Sequence, residues 1–424
     1  MGNLTKLVEM LKSLEADLAL CMRCGMCQSV CPVYQVTRRE SDVARGKLII
    51  IGGLLDELFE SPNGAAKRLE KCLLCGSCEN VCTSGVKCLE IFIKARTIIA
   101  TYRGLPYWKR LFLRKILASR EKFDKFTDIL RLSSNIIEKS LKAFEPVFKN
   151  RILIPHIGNP CFSPVLQAHR HGIIRVSVFW GCLVEKVFPS VAEATMKVLN
   201  AVDADVHIPP DQVCCGAPAI SAGDVRAFRL LLIQNINAFS AQSDVIVTPC
   251  ATCASIIKNV WPVMTEGEDA DLQELVRLTA GKVMDITEFI FRYGINKISA
   301  VNKRPAGARQ KVTFHDPCHL RKSLKIWKEP RQIIRSLDQF EFIEMPAADS
   351  CCGFGGSFRL SFPDISEKIG KTKAEYIAHS GADIVATACP GCMMQLNDIL
   401  SRSDGNVTVK HIIELVSGNL RVCG

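Results

Sequence analysis

Apolar residues recur at helical spacing from the start of the chain, where Leu4, Leu7, Val8, Leu11 and Leu14 predict an amphipathic helix. Residues 45–59 carry a mixed apolar face and predict a second helix, which Ser61-Pro62-Asn63-Gly64 should break, and 89–102 predict another. From Gly104 to about Pro164 the periodicity suggests two amphipathic helices. Tyr107, Trp108, Leu111, Phe112, Ile116 and Leu117 form their apolar side, interleaved with Lys109, Arg110, Arg114 and Lys115. Beyond about Ile174 the pattern changes: short β-branched runs alternate with helical stretches such as 191–199 and 225–239, which reads as α/β. The expected fold class is therefore α+β multidomain. It comprises a helical module at 1–103, a basic helical connector at 104–173, and two α/β units at 174–305 and 306–424.

The two α/β units are a duplication. Val176-Ser177-Val178-Phe179-Trp180-Gly181-Cys182 corresponds to Val312-Thr313-Phe314-His315-Asp316-Pro317-Cys318. Cys214-Cys215-Gly216 corresponds to Cys351-Cys352-Gly353, and the runs ending in Cys250-Ala251-Thr252-Cys253 and Cys389-Pro390-Gly391-Cys392 also match. The offsets of 136, 137 and 139 residues are nearly constant, as a true repeat requires. Several of these cysteines directly follow a predicted strand. That places them at strand carboxyl ends, where open α/β sheets build their sites.

At 424 residues and 48% hydrophobic content the chain can bury a sizeable core. No run approaches the roughly 18 apolar residues of a membrane span; the most apolar stretch, 48–55, is followed at once by Asp56 and Glu57. Charged residues Lys6, Glu9, Lys12, Glu15 and Asp17 interrupt the first twenty positions, so no signal peptide is expected and the chain reads as cytoplasmic. Of the formal net charge of +11, most sits at 94–150, where fourteen Lys or Arg face five Asp or Glu. Such a segment suits an acidic partner protein, an anionic membrane surface, or a solvated helix packed on its own chain. No nucleic-acid module accompanies it.

The chemistry lies in the cysteines, eighteen of the twenty-one falling into four ordered sets. Cys21, Cys24, Cys27 and Cys31, followed by Pro32, read C-x-x-C-x-x-C-x-x-x-C-P; Cys72, Cys75, Cys78 and Cys82 repeat the spacing with Thr83 in place of proline. Three thiolates two residues apart can wrap three corners of a [4Fe-4S] cube, and in two-cluster ferredoxins the fourth serves the other cluster. This assigns one cubane to Cys21, Cys24, Cys27 and Cys82, and the other to Cys72, Cys75, Cys78 and Cys31. Structural zinc usually takes two separated cysteine or histidine pairs rather than this compact run.

Each repeat supplies five more: Cys182, Cys214, Cys215, Cys250 and Cys253, then Cys318, Cys351, Cys352, Cys389 and Cys392. Adjacent cysteines in extended backbone point apart. The glycine after each pair permits backbone angles other residues resist and a close approach to an inorganic core. Five soft ligands suggest an iron–sulfur cluster of unusual nuclearity or geometry.

These arrays resemble the cysteine-rich CCG domain shared by heterodisulfide reductase subunits and by the iron–sulfur subunits of glycolate and lactate oxidases. The order of modules, with the stretches CMRCGMCQSVCP, CLLCGSCENVC, HDPCHLRK and CCGFGGSF, is similar to the glycolate oxidase iron–sulfur subunit over nearly the full length. The resemblance implies an electron-transfer subunit beside an FAD-containing subunit that oxidises D-lactate or glycolate, with quinone or another membrane acceptor downstream. The basic segment at 94–150 is expected to associate with either that flavoprotein or an anionic inner-membrane face, peripherally in the latter case. In heterodisulfide reductases the matching sets bind noncubane [4Fe-4S] clusters that cleave a disulfide. Because both five-cysteine sets are complete here, one or two further clusters are expected in the repeats, and catalytic disulfide reduction stands as the alternative function. A redox-sensing or scaffold protein with structural metal is a third reading.

His315 and His319 flank Cys318 and are candidate proton donors, or else hydrogen-bond to ligand sulfurs. Gly353-Phe354-Gly355-Gly356 lacks the lysine and spacing of a phosphate loop and reads as backbone lying along a cluster. Cys88, Cys161 and Cys423 have no motif partners and read as inert thiols. No dinucleotide fingerprint follows any strand.

Overall fold

A computed structural model describes residues 4–143, 174–239, 243–301, 309–403, 405–418 and 420. Up to residue 143 every regular element among them is helical. Leu7 and Leu11, on helix Leu4–Leu11, and Leu14 just after it are fully buried. They pack with Ile51 and Leu54 of helix Ala44–Leu55 and with Ile91 and Ala95 of helix Cys88–Arg103. The stretch Ser61 to Gly64 does break the helix before it, but Asn63 and Gly64 already lie in the first turn of helix Asn63–Glu70, with Pro62 as its N-cap. Proline is tolerated there because the first N–H groups of a helix have no partner to lose.

The connector begins with helix Tyr107–Leu111, continues through a wide turn at Phe112–Ile116, and ends in helix Arg120–Ala143. Its expected apolar side is split. Leu117 is buried and Phe112 and Ile116 are half-buried, whereas Tyr107 and Trp108 are 73% and 66% exposed and Leu111 also faces outward; Leu113, outside the expected side, is buried as well. The wide turn rotates the register, so the residues that dock differ from those an ideal helix would present. Cys161, Cys423 and the predicted linker at 158–164 lie outside the described residues.

The repeats form two four-stranded sheets with the same topology. Strands β1 (Ile174–Val178), β2 (Ala204–His207), β3 (Val245–Thr248) and β4 (Val283–Asp285) order as β2-β1-β3-β4. Strands β5 (Gln310–Phe314), β6 (Phe340–Phe342), β7 (Ile384–Thr387) and β8 (Thr408–His411) order as β6-β5-β7-β8. All pairings are parallel, with Val176 opposite Val206 and Val245, and Val312 opposite Phe342 and Ile384. Parallel strands need helical crossovers, supplied by Pro189–Ala201, Val225–Ala238 and Ala270–Lys282 in the first repeat. With helices against the sheets, every residue of β3 and β7 is buried, which is why these strands read as continuous apolar runs. In each sheet the strand order reverses between the first and third strands of the repeat, opening a crevice at their carboxyl ends.

The two repeats share one hydrophobic core. Their cysteine loops are stitched by Ala251 N–H donating to Ala388 C=O at 3.1 Å, and Ser190 Oγ pairs with Glu414 Oε1 at 2.8 Å. The helical module meets both repeats. Lys322 Nζ donates to Ser77 Oγ at 2.6 Å, Lys325 Nζ to Asn80 Oδ1 at 3.0 Å, and Arg96 Nη1 to Ser221 C=O at 3.3 Å.

Candidate metal centres

In both repeats the cysteines project from the carboxyl ends of strands. Cys182 follows β1, Cys250 and Cys253 follow β3, Cys318 follows β5, and Cys389 and Cys392 follow β7. The paired cysteines arrive on the long loops after β2 and β6 and divide their contacts. Cys214 meets Cys182 while Cys215 meets Cys253; Cys351 meets Cys318 while Cys352 meets Cys392. Gly216 and Gly353 hold φ of +97° and +87°, which turns the chain sharply after each pair. The space a side chain would need there is filled by the Phe228 ring at 2.6 Å and by Ser366 C=O at 2.8 Å, so the tight fit is to protein rather than to the thiols.

The two sets connect. Cys250 of the first repeat lies beside Cys389 of the second. At the other end, Cys75 of the helical module meets Cys351. An unbroken series of sulfur contacts therefore runs from Cys75 through Cys351, Cys352, Cys392, Cys389, Cys250, Cys253, Cys215 and Cys214 to Cys182. None of the described cysteines is in a disulfide.

In the helical module, Cys82 lines one pocket with Cys21, Cys24 and Cys27, while Cys31 sits beside Cys75 and Cys72. Cys78 lies between the groups, lining the first pocket yet also close to Cys72 and Cys75. The first loop is at the surface: Cys24 is exposed, and Met22 and Met26 beside it are largely so. The second is covered by an apolar seam of Val33, Leu73, Phe358 and Ile369, which joins module to repeat.

Electrostatics follow from this crowding. Cys215, Cys352 and Cys389 are each crowded by two neighbouring thiols, led by Cys214, Cys351 and Cys250 respectively, whose protons favour the thiolate and pull them well below the usual thiol range. Burial pushes Cys31 up to about 12. Backbone N–H groups also point at sulfur, from Leu74 to Cys72 and from Gly353 to Cys351, each at 3.4 Å. Such contacts tune the potential of a bound cluster.

The two candidate histidines differ. His319 Nδ1 pairs with Thr252 Oγ1 at 2.9 Å, and that hydroxyl reaches Cys389 Sγ at 3.3 Å, so His319 touches the junction between the repeats. His315 is fully buried and neither ring nitrogen has a hydrogen-bond partner among the described residues. Burial lowers its pKa to about 3, which leaves a neutral imidazole at pH 7 rather than a poised acid. Next to it, Asp316 anchors the Cys318 loop by a bidentate pair with Arg331 at 2.8 and 3.0 Å and by Arg321 at 2.6 Å.

Sequence reasoning missed several groups. Cys88, read as inert, is buried against Cys78 and lines the pocket of the first loop. It opens a helix six residues past Cys82, outside any motif spacing. Buried Arg96 clamps the second loop by donating to Leu69 C=O at 2.5 and 3.1 Å and to Cys72 C=O at 2.6 Å. Lys373, almost fully buried near Cys351 and Cys352, donates to Ala347 and Ala348 C=O at 2.8 and 3.1 Å, and burial lowers its pKa to about 8. Only a lysine on the buried face of a helix, a mismatch in the amphipathic pattern, could have signalled it.

This donor set, ten buried or half-buried thiols in two matched clusters plus eight at ferredoxin spacing, matches two family models. The cysteine-rich domain matches residues 176–258 and 312–397, and the 4Fe-4S dicluster domain matches 17–86. One subunit of the CoM/CoB fumarate reductase of Methanothermobacter marburgensis is 30% identical over 93% of this chain and 71% of its own. The chain belongs to the family of iron–sulfur oxidoreductase subunits that join a dicluster domain to paired cysteine-rich domains. A probable glycolate oxidase iron–sulfur subunit of Bacillus subtilis is 28% identical over 95% of this chain and 94% of its own. Lactate utilization protein A 1 of Bacillus anthracis is 30% identical over 58% of this chain and 99% of its own. As a member of this family the chain carries iron–sulfur clusters and works as a component of an oxidoreductase. Among the described residues no helix is long and apolar enough to cross a membrane.

Proposed function

We propose that this chain is the electron-transfer subunit of an FAD-dependent 2-hydroxy-acid dehydrogenase acting on D-lactate or glycolate, relaying electrons between a flavoprotein subunit and a quinone or other acceptor. The observation that carries the reading is the continuous series of sulfur contacts from Cys75 to Cys182, which crosses from the helical module through the second repeat into the first. The glycolate oxidase and lactate utilization relatives supply the substrate class.

In this reading Cys21, Cys24, Cys27 and Cys82 hold one [4Fe-4S] cubane, and Cys72, Cys75, Cys78 and Cys31 hold the other. The five thiols of each repeat hold a further cluster, the noncubane form being the one expected. Bound clusters supply one-electron steps; the protein supplies their spacing, their N–H···S contacts and a dry seam between modules. The exposed loop around Cys24 is the surface at which electrons are exchanged with a partner. The outward Tyr107, Trp108 and Leu111, alongside Lys109 and Arg110, form the basic amphipathic surface for the flavoprotein or for an anionic inner-membrane face.

Purification of the native complex tests the reading. Reduction of the clusters by D-lactate or glycolate only when a flavoprotein co-purifies supports it; turnover of a heterodisulfide by this chain alone overturns it in favour of disulfide reduction. Iron at far below the roughly sixteen atoms of four [4Fe-4S] clusters would remove both. For the surface, neutral replacements of Lys109 and Arg110 together with Trp108→Ala should lower recovery in the complex or membrane fraction, and unchanged recovery in both assigns the segment a purely internal role.

A further inference from the structure

The two repeats share one backbone plan but differ at a position beside the thiols. His315 and Phe179 occupy equivalent places, each immediately past the first strand of its repeat, and each is fully buried. His315 N–H donates to Ala386 C=O at 2.9 Å, as Phe179 N–H does to Val247 C=O at 2.9 Å, so the backbone holds both residues in the same place at the strand ends. One ring is a hydrocarbon. The other brings two nitrogens into the interior, and neither meets a hydrogen-bond partner among the described residues.

A neutral imidazole has one N–H and one lone pair, and leaving a buried polar atom unsatisfied carries a free-energy cost. A phenylalanine, as in the first repeat, would avoid that cost. The imidazole is not placed at random, because a ring nitrogen, Cys352 Sγ and Cys392 Sγ all lie within 4.8 Å of one another, close enough for one metal atom to sit among them. Neutral imidazole nitrogen is a common ligand of iron, and the mixed N and S donor set is chemically sound.

We propose that His315 is a nitrogen ligand to iron in the second repeat, so that this site is a mixed cysteine and histidine centre while the first repeat's is all-thiolate. The inference rests on the reading that each repeat holds an iron–sulfur cluster. Because all five cysteines of this repeat are kept and His315 stands where the first repeat has Phe179, the imidazole is a donor added to the thiolates rather than a substitute for one. The duplication thus yields two unlike centres in contact through Cys250 and Cys389.

The test uses the full chain, iron-loaded, with all histidines labelled with nitrogen-15, and pulsed EPR to detect nuclei bound to the paramagnetic cluster. The expected result is a strong nitrogen coupling that changes with the isotope and is lost in both His315→Phe and His315→Cys, the second of which still offers iron a donor and guards against simple misfolding. Persistence of that coupling in either variant, which would assign it to His319 or His411, overturns the proposal. So does its absence from the wild-type protein at full iron content. Iron of only about eight atoms per chain, the content of the two cubanes alone, instead overturns the underlying reading and the proposal with it.

Discussion

The Cys75 thiol of the helical module lies beside the Cys351 thiol of the second repeat, under the same apolar seam. This contact makes the second repeat, not the first, the neighbour of the module's inner cluster site, and makes the first repeat the far end of the series. Replacing Cys351 with alanine should therefore leave the cluster sites of the module reducible at the wild-type rate while reduction of the first repeat lags. Freeze-quench EPR distinguishes the signals; first-repeat reduction keeping pace with wild type would show a route that bypasses Cys351.

Arg114 is the basic connector residue whose role the structure settles in favour of internal packing. Its Nε and Nη2 meet both oxygens of fully buried Asp224 at 2.9 to 3.1 Å, and Asp224 also caps helix Val225–Ala238 through Ala227 N–H at 3.1 Å. Removing one partner strands a buried carboxylate. Arg114→Ala should cost roughly 2–4 kcal/mol of stability, whereas Lys109→Ala should cost less than about 0.5 kcal/mol. Chemical denaturation of the two variants checks this, and equal midpoints would contradict it.

Periodicity and cysteine spacing made the architecture legible because the same physics governs both. Parallel strands buried on two faces must be apolar runs such as 245–247 and 384–386, and the duplication is written in the near-constant offsets. Within Cys214-Cys215 and Cys351-Cys352 the two thiols reach different partners yet also meet one another, which the expectation that neighbours in extended backbone point apart does not give. What stayed hidden was contact between modules. Nothing in the spacing relates Cys75 to Cys351, Cys250 to Cys389 or Cys88 to Cys78, since each pair is brought together by docking of separate elements. The exposure of Tyr107 and Trp108 was hidden for a different reason: the wide turn at Phe112–Ile116 shifts the helical face.

Lys373 places a positive charge in the interior near Cys351 and Cys352. At an effective dielectric near 20, a unit charge some 5–15 Å away contributes roughly 1–3 kcal/mol, favouring the reduced, more negative state of whatever metal centre those thiols hold. Lys373→Met keeps the length and apolar body of the side chain and removes the charge. The expected outcome is a lower reduction potential for the second repeat, by tens of millivolts, with the module's clusters unmoved. A redox titration followed by EPR measures both, and an unchanged second-repeat potential would mean that Lys373 is neutral in the holoprotein.

Asp285, at the end of β4, is buried to 1% exposure, and burial raises its pKa to about 7. Its Oδ1 caps the next helix by accepting from Thr287 N–H at 2.8 Å and Oγ1–H at 2.5 Å, while Oδ2 has no partner among the described residues. Because the folded pKa lies above the unfolded value of about 3.8, the folded state holds the proton more tightly. The associated stability is full below about pH 3.8 and is lost as pH rises through about 7. At its largest the loss is on the order of 4 kcal/mol. Asp285→Asn keeps the capping oxygen and cannot ionise, so it should stabilise the apoprotein relative to wild type by clearly more at pH 8 than at pH 5. Denaturant midpoints at the two pH values decide it, and a stability difference that is the same at both would show that the carboxyl is already ionised throughout that range.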